Sequence, residues 1–538
     1  MAITEAPVHN RTGLATGLRR GTFRGAAGAR HGIRLAFGLL VLAALLDPLN
    51  VRAAAWEVRP FAYISETYTD NVALVGAGNE RSEWVTSANA GFTVQNNGPR
   101  VKFNATFTRQ ERLYANGTSA NSSSNILTSG SGGTAELVDK FIYLDYSSSV
   151  TQQNISTFAP QAIDNTNLSA NRAEVRTLSL SPSLRHRIGS LANYEMRYTH
   201  TTTTSKNSAA LASAQSDALN FSLNSGPQFR LISWGVNYNY SKSDSSGVQS
   251  PTFETLTGRV KSPLTPQFSV FATAGYDKNS YATTGPSPQG IYWNVGGDWN
   301  PGTRTQLNGS VGHRYFGDTY SLSFNHRGSR LVWTASYNEE ISNTPGQFTV
   351  PLTADTATLV NNLFLSSIPD PVQRAQAVRD YIAQNGLPLT LATPVNFFTN
   401  QVFVQKGFNG SLAYNGRLHT VVLSLFRVNR ESQQSGAGIV GAGDFAAGDK
   451  ILQSGGGVTW TWRVGPHTHS NAGVNYTRSH ASPSGQESAN AIVTAGLTHT
   501  ISRRLSGTLQ YRRLNTDGNL GAVPVRENSV TGTVNFTY

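Results

Sequence analysis

Strict alternation of apolar and polar residues, repeated over most of the chain, leaves this sequence few folds to choose from. Ile232, Trp234, Val236, Tyr238 and Tyr240 fall on one side of an extended segment, while Ser233, Gly235, Asn237, Asn239 and Ser241 fall on the other. Ala192, Tyr194, Met196 and Tyr198 oppose Asn193, Glu195, Arg197 and Thr199 in the same way, and Val101, Phe103, Ala105 and Phe107 oppose Lys102, Asn104, Thr106 and Thr108. A soluble sandwich also alternates, but its outer face is rich in Lys and Glu. Here the polar face is mostly Asn, Ser, Thr and Gly, and charged residues make up only 14% of the chain. A wall with lipid on one side and water on the other has this pattern.

The strands come in pairs. Short turns are marked at Asn97-Gly98-Pro99, Val138-Asp139, Gly189-Ser190, Gly226-Pro227, Pro263 to Pro266, Pro301-Gly302, Gly328-Ser329, Asn415-Gly416, Gly465-Pro466 and Arg503-Arg504. These ten turns alternate with eleven longer, mostly polar segments, such as 116 to 124, 153 to 170, 202 to 216 and 430 to 449. The expected fold is therefore all-β: a transmembrane antiparallel up-and-down barrel of about 22 strands, within a range of about 20 to 24, with both ends on the short-turn, periplasmic side. Aromatics near strand ends, among them Tyr63, Tyr68, Tyr143, Tyr146, Trp293, Trp299, Trp460 and Trp462, are expected to form girdles at the membrane surfaces.

Two segments break the rhythm. Residues 1–55 read as an N-terminal extension and signal peptide: Arg30, His31 and Arg34 precede the apolar run Leu35 to Leu46, and Ala53 and Ala55 offer a cleavage site before Trp56. That run is too short to span a bilayer as a helix, and no other run in the chain is longer. The barrel is assigned to 56–538. Within it, 342–396 is a long loop insertion with a helix near 371–385, capped by Asp370, with Pro371 in its first turn and Gly386 at its stop. It either stands outside as a cap or folds into the lumen, and Leu359, Leu363, Phe364 and Leu365 favour the lumen because they need burial.

The net charge of +12 includes a leader with seven Arg against Glu5 and Asp47, and the remainder holds no Lys/Arg-rich block that tracks phosphates. Nucleic acid is therefore not an expected partner. There is no Cys, which excludes disulfides and thiolate chemistry. No nucleophile-elbow, Walker, zinc-protease or EF-hand pattern occurs, so the chain reads as a non-enzyme without cofactor or metal. His467 and His469 share a strand face without a third ligand, and Asp70-Asn71 supply two cation ligands where more are needed. By parity Lys102, Glu195, Arg197, Asp298, Arg463 and Arg512 line the pore, where facing charges of both signs would set up a transverse field.

The last strand places Val530, Gly532, Val534, Phe536 and the terminal Tyr538 on one face. Val534, Phe536 and Tyr538 resemble the C-terminal signal by which outer-membrane barrels are recognised by the barrel assembly machinery. Near the other end stand Trp56-Glu57-Val58-Arg59-Pro60, Glu66-Thr67-Tyr68-Thr69-Asp70-Asn71-Val72, Ala135 to Val138 and Phe141 to Tyr146. This N-terminal third, above all Tyr68, Thr69, Asp70 and Asn71, resembles the outer-membrane β-barrel family associated with the PEP-CTERM/exosortase protein-sorting system. The resemblance implies a place in the bacterial outer membrane beside exopolysaccharide or export machinery, and carries over no catalytic residue. Two functions fit: a channel or export porin for such a system, or a plugged structural barrel whose surface loops bind exopolysaccharide or sorted proteins. An energy-coupled receptor has a large N-terminal plug, whereas strands here begin at Trp56.

Overall fold

The computed structural model describes residues 56–117, 123–206, 214–245, 250–281, 283, 287–343, 394, 401–433, 449–519 and 524–537. The leader, Tyr538 and nearly all of the 342–396 insertion, including the expected helix near 371–385, lie outside the described residues.

Alternation becomes strand wherever it was read. In chain order the strands are β1 (Trp56–Thr69), β2 (Glu83–Asn97), β3 (Val101–Tyr114), β4 (Ser123–Val138), β5 (Ile142–Asn154), β6 (Arg172–Ile188), β7 (Ala192–Lys206), β8 (Ala214–Ser225), β9 (Ser233–Ser245), β10 (Thr252–Pro263) and β11 (Phe268–Ser280). They continue as β12 (Gln289–Gly302), β13 (Thr305–Arg314), β14 (Gly317–Arg327), β15 (Leu331–Ser342), β16 (Phe403–Asn415), β17 (His419–Ser432), β18 (Lys450–Arg463), β19 (Thr468–Ser482), β20 (Glu487–Ser502), β21 (Leu505–Gly518) and β22 (Val525–Thr537).

Every strand pairs antiparallel with its neighbour in sequence, and β1 pairs with β22 from Phe61↔Thr537 to Thr69↔Ser529, so the 22-stranded sheet closes and has no edge. All ten short turns fall where the turn residues place them. The opposite links differ more than their sequence suggested: β13 and β14 are joined by Tyr315-Phe316 alone, and β19 and β20 by residues 483–486. There is no helix among the described residues.

Side chains follow parity. Phe61 turns inward and its ring lies where a Cβ on Gly91 of the next strand would sit, 2.5 Å away, which is why glycine occupies that position.

Candidate solute pathway and its constriction

The outward parity carries the apolar residues, most of them exposed: Ile291, Val295 and Trp299 on β12, Leu425 on β17, Val474 on β19, Leu509 on β21 and Val534 on β22. Rings gather at both levels of this belt. Toward the short turns lie Trp56 against Phe103, Phe324 against Trp333, and Trp460 stacked on Trp462 with His419 beside them. At the other level lie Tyr68 against Trp84, and Trp293 and Tyr476. A closed, even-numbered antiparallel barrel with short turns at one end and an apolar band between aromatic girdles has lipid as its solvent. This is a barrel of the bacterial outer membrane. Tyr63 and Tyr143, expected in a girdle, have the other parity: Tyr63 shares it with Phe61, and the Arg185 guanidinium lies 5.0 Å from the Tyr143 ring centroid within the lumen.

The inward parity is polar, and the six sequence-read lumen residues have that parity. Lys102 and Arg463 sit at the short-turn ends of β3 and β18. Glu195 and Arg197 belong to a cluster on one stretch of wall: Arg197 Nη1 pairs with Asp145, its Nη2 lies 3.0 Å from Glu195 Oε1, and Arg185 Nε is 3.3 Å from the same oxygen. Thr134 Oγ1 donates to Asp145 at 2.5 Å. Asp298 pairs with Lys261 at 2.7 Å and accepts from Asn308. The expected field between facing charges is therefore replaced by side-by-side pairing on the same wall, where opposite charges about 3 Å apart largely cancel at the distance of a passing solute. Lys102 and Arg463 have no ion pair among the described residues.

Arg512 is different, because it meets a segment that leaves the wall. The link between β5 and β6, residues 155–171, folds into the lumen. Its Asp164 pairs with Arg512 Nη1, and Arg512 Nη2 donates to Glu527 Oε1 at 2.9 Å. Asn167 Nδ2 reaches the same Glu527 oxygen at 2.8 Å, and Asn165 Nδ2 donates to Gln110 Oε1 at 2.8 Å. Leu168 N donates to Val72 O at 2.8 Å, and Leu168 packs with Val72, Val85 and Tyr114. Ala162 packs with Leu74, Leu514 and Val525. At the loop's other end Phe158 packs against Phe403, Ile451 and Ala481 of β16, β18 and β19, eight to eleven strands around the wall from β5 by the shorter route. One loop thus touches walls far apart and narrows the lumen. Burial opposes the charge on Asp164, but Arg512 and the Thr166 amide and hydroxyl outweigh it and hold this carboxyl below the usual carboxylate range.

The constriction expected of the 342–396 insertion is therefore supplied, among the described residues, by a loop a third of its length. At the insertion's first residues Asn343 Nδ2 reaches Ser243 Oγ on the inward face of β9, 3.1 Å away.

The conspicuous Thr69-Asp70-Asn71 stretch sits where the barrel closes. Thr69 Oγ1 donates to Glu527 Oε1 at 2.8 Å. Asp70 accepts from Asn528 N and from Asn528 Nδ2, both at 2.7 Å. Asn71 Nδ2 donates to Arg526 O at 2.9 Å and to Val75 O at 2.7 Å. These groups clasp the first strand to the last, and the atoms read as cation ligands, the two Asp70 carboxylate oxygens and Asn71 Oδ1, accept from Asn528 and from Val75 N instead. Tyr68 faces outward against Trp84, and Val534 lies on the same outward face of β22 as Val530.

No protein-family model matches the sequence, and no curated protein matches it. Among solved structures, the siderophore receptor PirA of Acinetobacter baumannii aligns with a TM-score of 0.44 at 10% identity, over 90% of this chain and 80% of that one. PirA of Pseudomonas aeruginosa gives 0.42 at 9%, over 89% and 80%. OccK2 (OpdF) of Pseudomonas aeruginosa gives 0.33 at 10%, over 89% and 98%.

Proposed function

We propose that this barrel is a channel for hydrophilic solutes, serving an exopolysaccharide- or exosortase-linked export system at the outer membrane, and that it reaches the membrane through the barrel assembly machinery. The observation that carries the channel reading is the inward face: mostly Ser, Thr, Asn and Gln, with ion pairs that neutralise one another on β5 to β7 and between β10 and β12, a lining that hydrates a lumen. The link to export rests on the N-terminal resemblance. A second reading, a plugged barrel that displays its outer loops to polysaccharide or sorted proteins, is favoured by one feature. The 155–171 loop is stitched to Arg512 and Glu527 on one side and packed through Phe158 on another.

Planar-bilayer recording separates the two. The channel reading expects discrete conductance steps from the purified, folded chain, and larger steps when Arg512→Met frees the loop. A silent wild-type barrel that becomes conductive only when the loop is released identifies the plugged form, and silence in both overturns the channel.

A further inference from the structure

Beneath the inward loop, the wall formed by β1, β2 and β3 holds buried polar atoms with no hydrogen-bond partner among the described residues. Asn89 is 4% exposed, and neither its Oδ1 nor its Nδ2 has a hydrogen-bond partner. Arg112 is 6% exposed, its Nε is buried without a partner, and no carboxylate lies within ion-pair range of its guanidinium among the described residues. Its neighbours are the Tyr114 ring, 5.8 Å from centroid to guanidinium carbon, and Arg172, whose like charge repels it. The strand register puts these groups together. Arg112 stands opposite Ser87 and Gln110 opposite Asn89, all on the inward parity, and Asn89 in turn stands opposite Tyr63.

Buried polar groups in native proteins are met by some partner, protein, water or ligand. The chemistry of this partner can be read from what is missing. A desolvated guanidinium repelled by a second one calls for an oxyanion, and its planar fork matches a carboxylate. An amide with both donor and acceptor open calls for groups that accept and donate, as neighbouring hydroxyls do. We propose that Asn89, Gln110 and Arg112 form a binding site for a hydroxylated carboxylate of the sugar-acid class, with the carboxylate on Arg112 and hydroxyls on the Asn89 amide. The ligand is either a free sugar acid or one uronate unit of a polymer. The tie from Asn165 to Gln110 borders the site on the loop side. The proposal deepens the channel reading by naming a solute class, but its test does not need conductance.

Calorimetric titration of the folded, detergent-solubilised full chain with D-galacturonate, D-galactose and acetate tests it directly. Galacturonate is expected to bind at least tenfold more tightly than either of the others, since each of those supplies only one half of the match. Arg112→Gln is expected to lose at least tenfold in galacturonate affinity and Asn89→Ala to lose affinity as well. Arg259→Gln, which removes an inward guanidinium lying over the Phe271 ring on β10, matches the charge change and is expected to bind as wild type does. Tighter binding of trigalacturonate than of the monomer assigns the site to a polymer, and equal binding assigns it to the free sugar. Absence of galacturonate binding to the wild type, or equal loss in Arg112→Gln and Arg259→Gln, overturns the site. Heat-modifiable gel mobility certifies that each variant is folded, and Arg112→Lys, which keeps charge but loses the fork, serves if the Gln variant fails that check. A chain that conducts yet does not bind galacturonate leaves the channel standing without this site. One that binds without conducting leaves the site standing in a display barrel.

Discussion

At the scale of single residues, Glu527 is the point where closure of the barrel and narrowing of its lumen meet. Its carboxylate is fully buried and receives Thr69 from the first strand, Asn167 from the inward loop and Arg512 from β21. Removing Arg512 as methionine leaves that carboxylate buried without its cation, a change of about 3–5 kcal/mol in comparable buried pairs. The expected outcome is a lower midpoint of denaturant-induced unfolding together with loosening of residues 155–171, read by faster hydrogen exchange in that loop and in Asp70 to Leu74. Asp70→Ala takes away both acceptors of Asn528 and is expected to destabilise by at least about 1.5 kcal/mol, because hydrogen bonds to a charged group are the stronger kind. Asp164 sets the pH response. A carboxyl held below its ordinary range keeps the loop latched above that range and releases it only as pH falls through the depressed value. Loop hydrogen exchange, corrected for its intrinsic pH dependence, is therefore expected to stay flat from pH 7 down to about 4, the ordinary aspartate value. It should rise only below that; a rise centred near pH 6 would contradict the Asp164 latch. None of this was legible at Tyr68-Thr69-Asp70-Asn71, since the partners Glu527 and Asn528 lie 458 residues further along the chain. The stretch stood out in the sequence, but its chemistry is a contact between the two ends.

Elements were far more legible than contacts. A period of two is set by the backbone of a single strand, and Pro, Gly and Asn in a short turn act locally, so strands and the ten short turns could be read without knowing what packs on them. Loop direction has no such local signal. Residues 155–171 are ordinary loop sequence, and their inward course depends on Arg512, Glu527 and Phe403, which are distant in the chain. A signal was present in Arg512, a lone arginine of inward parity, but not the identity of its partner. Because β5 and β6 pair continuously from Ile142↔Leu184 to Asn154↔Arg172, the hairpin does not depend on the loop for its register. Replacing 156–170 by a short Gly-Ser link is therefore expected to preserve heat-modifiable mobility and to raise single-channel conductance several-fold. An unchanged conductance would place the narrowest part of the lumen elsewhere.

For the whole molecule, the decisive quantity is how its inward charges are distributed. Asp145, Glu195, Arg185 and Arg197 form one neutral group, and Lys261 with Asp298 another, so the wall presents dipoles more than net charge over these stretches. Dipoles of this size decay within about a Debye length, roughly 10 Å at 0.1 M salt. A lumen so lined is expected to discriminate weakly between potassium and chloride over these stretches. Lys102 and Arg463 at the short-turn ends, without an ion pair among the described residues, are expected to add a small preference for chloride, read from the reversal potential under a salt gradient. Arg197→Gln breaks the balance. It leaves two carboxylates facing Arg185 alone, and one uncompensated negative charge then acts on every ion that passes that level of the wall. The reversal potential should move toward cation selectivity, and the shift should shrink as salt is raised, since screening acts on the exposed net charge. Lys261→Gln, which uncovers Asp298 on a different stretch of wall, should shift it in the same direction. If neither substitution moves the reversal potential, permeating ions do not follow the wall that these residues line, and conduction must be assigned to another path.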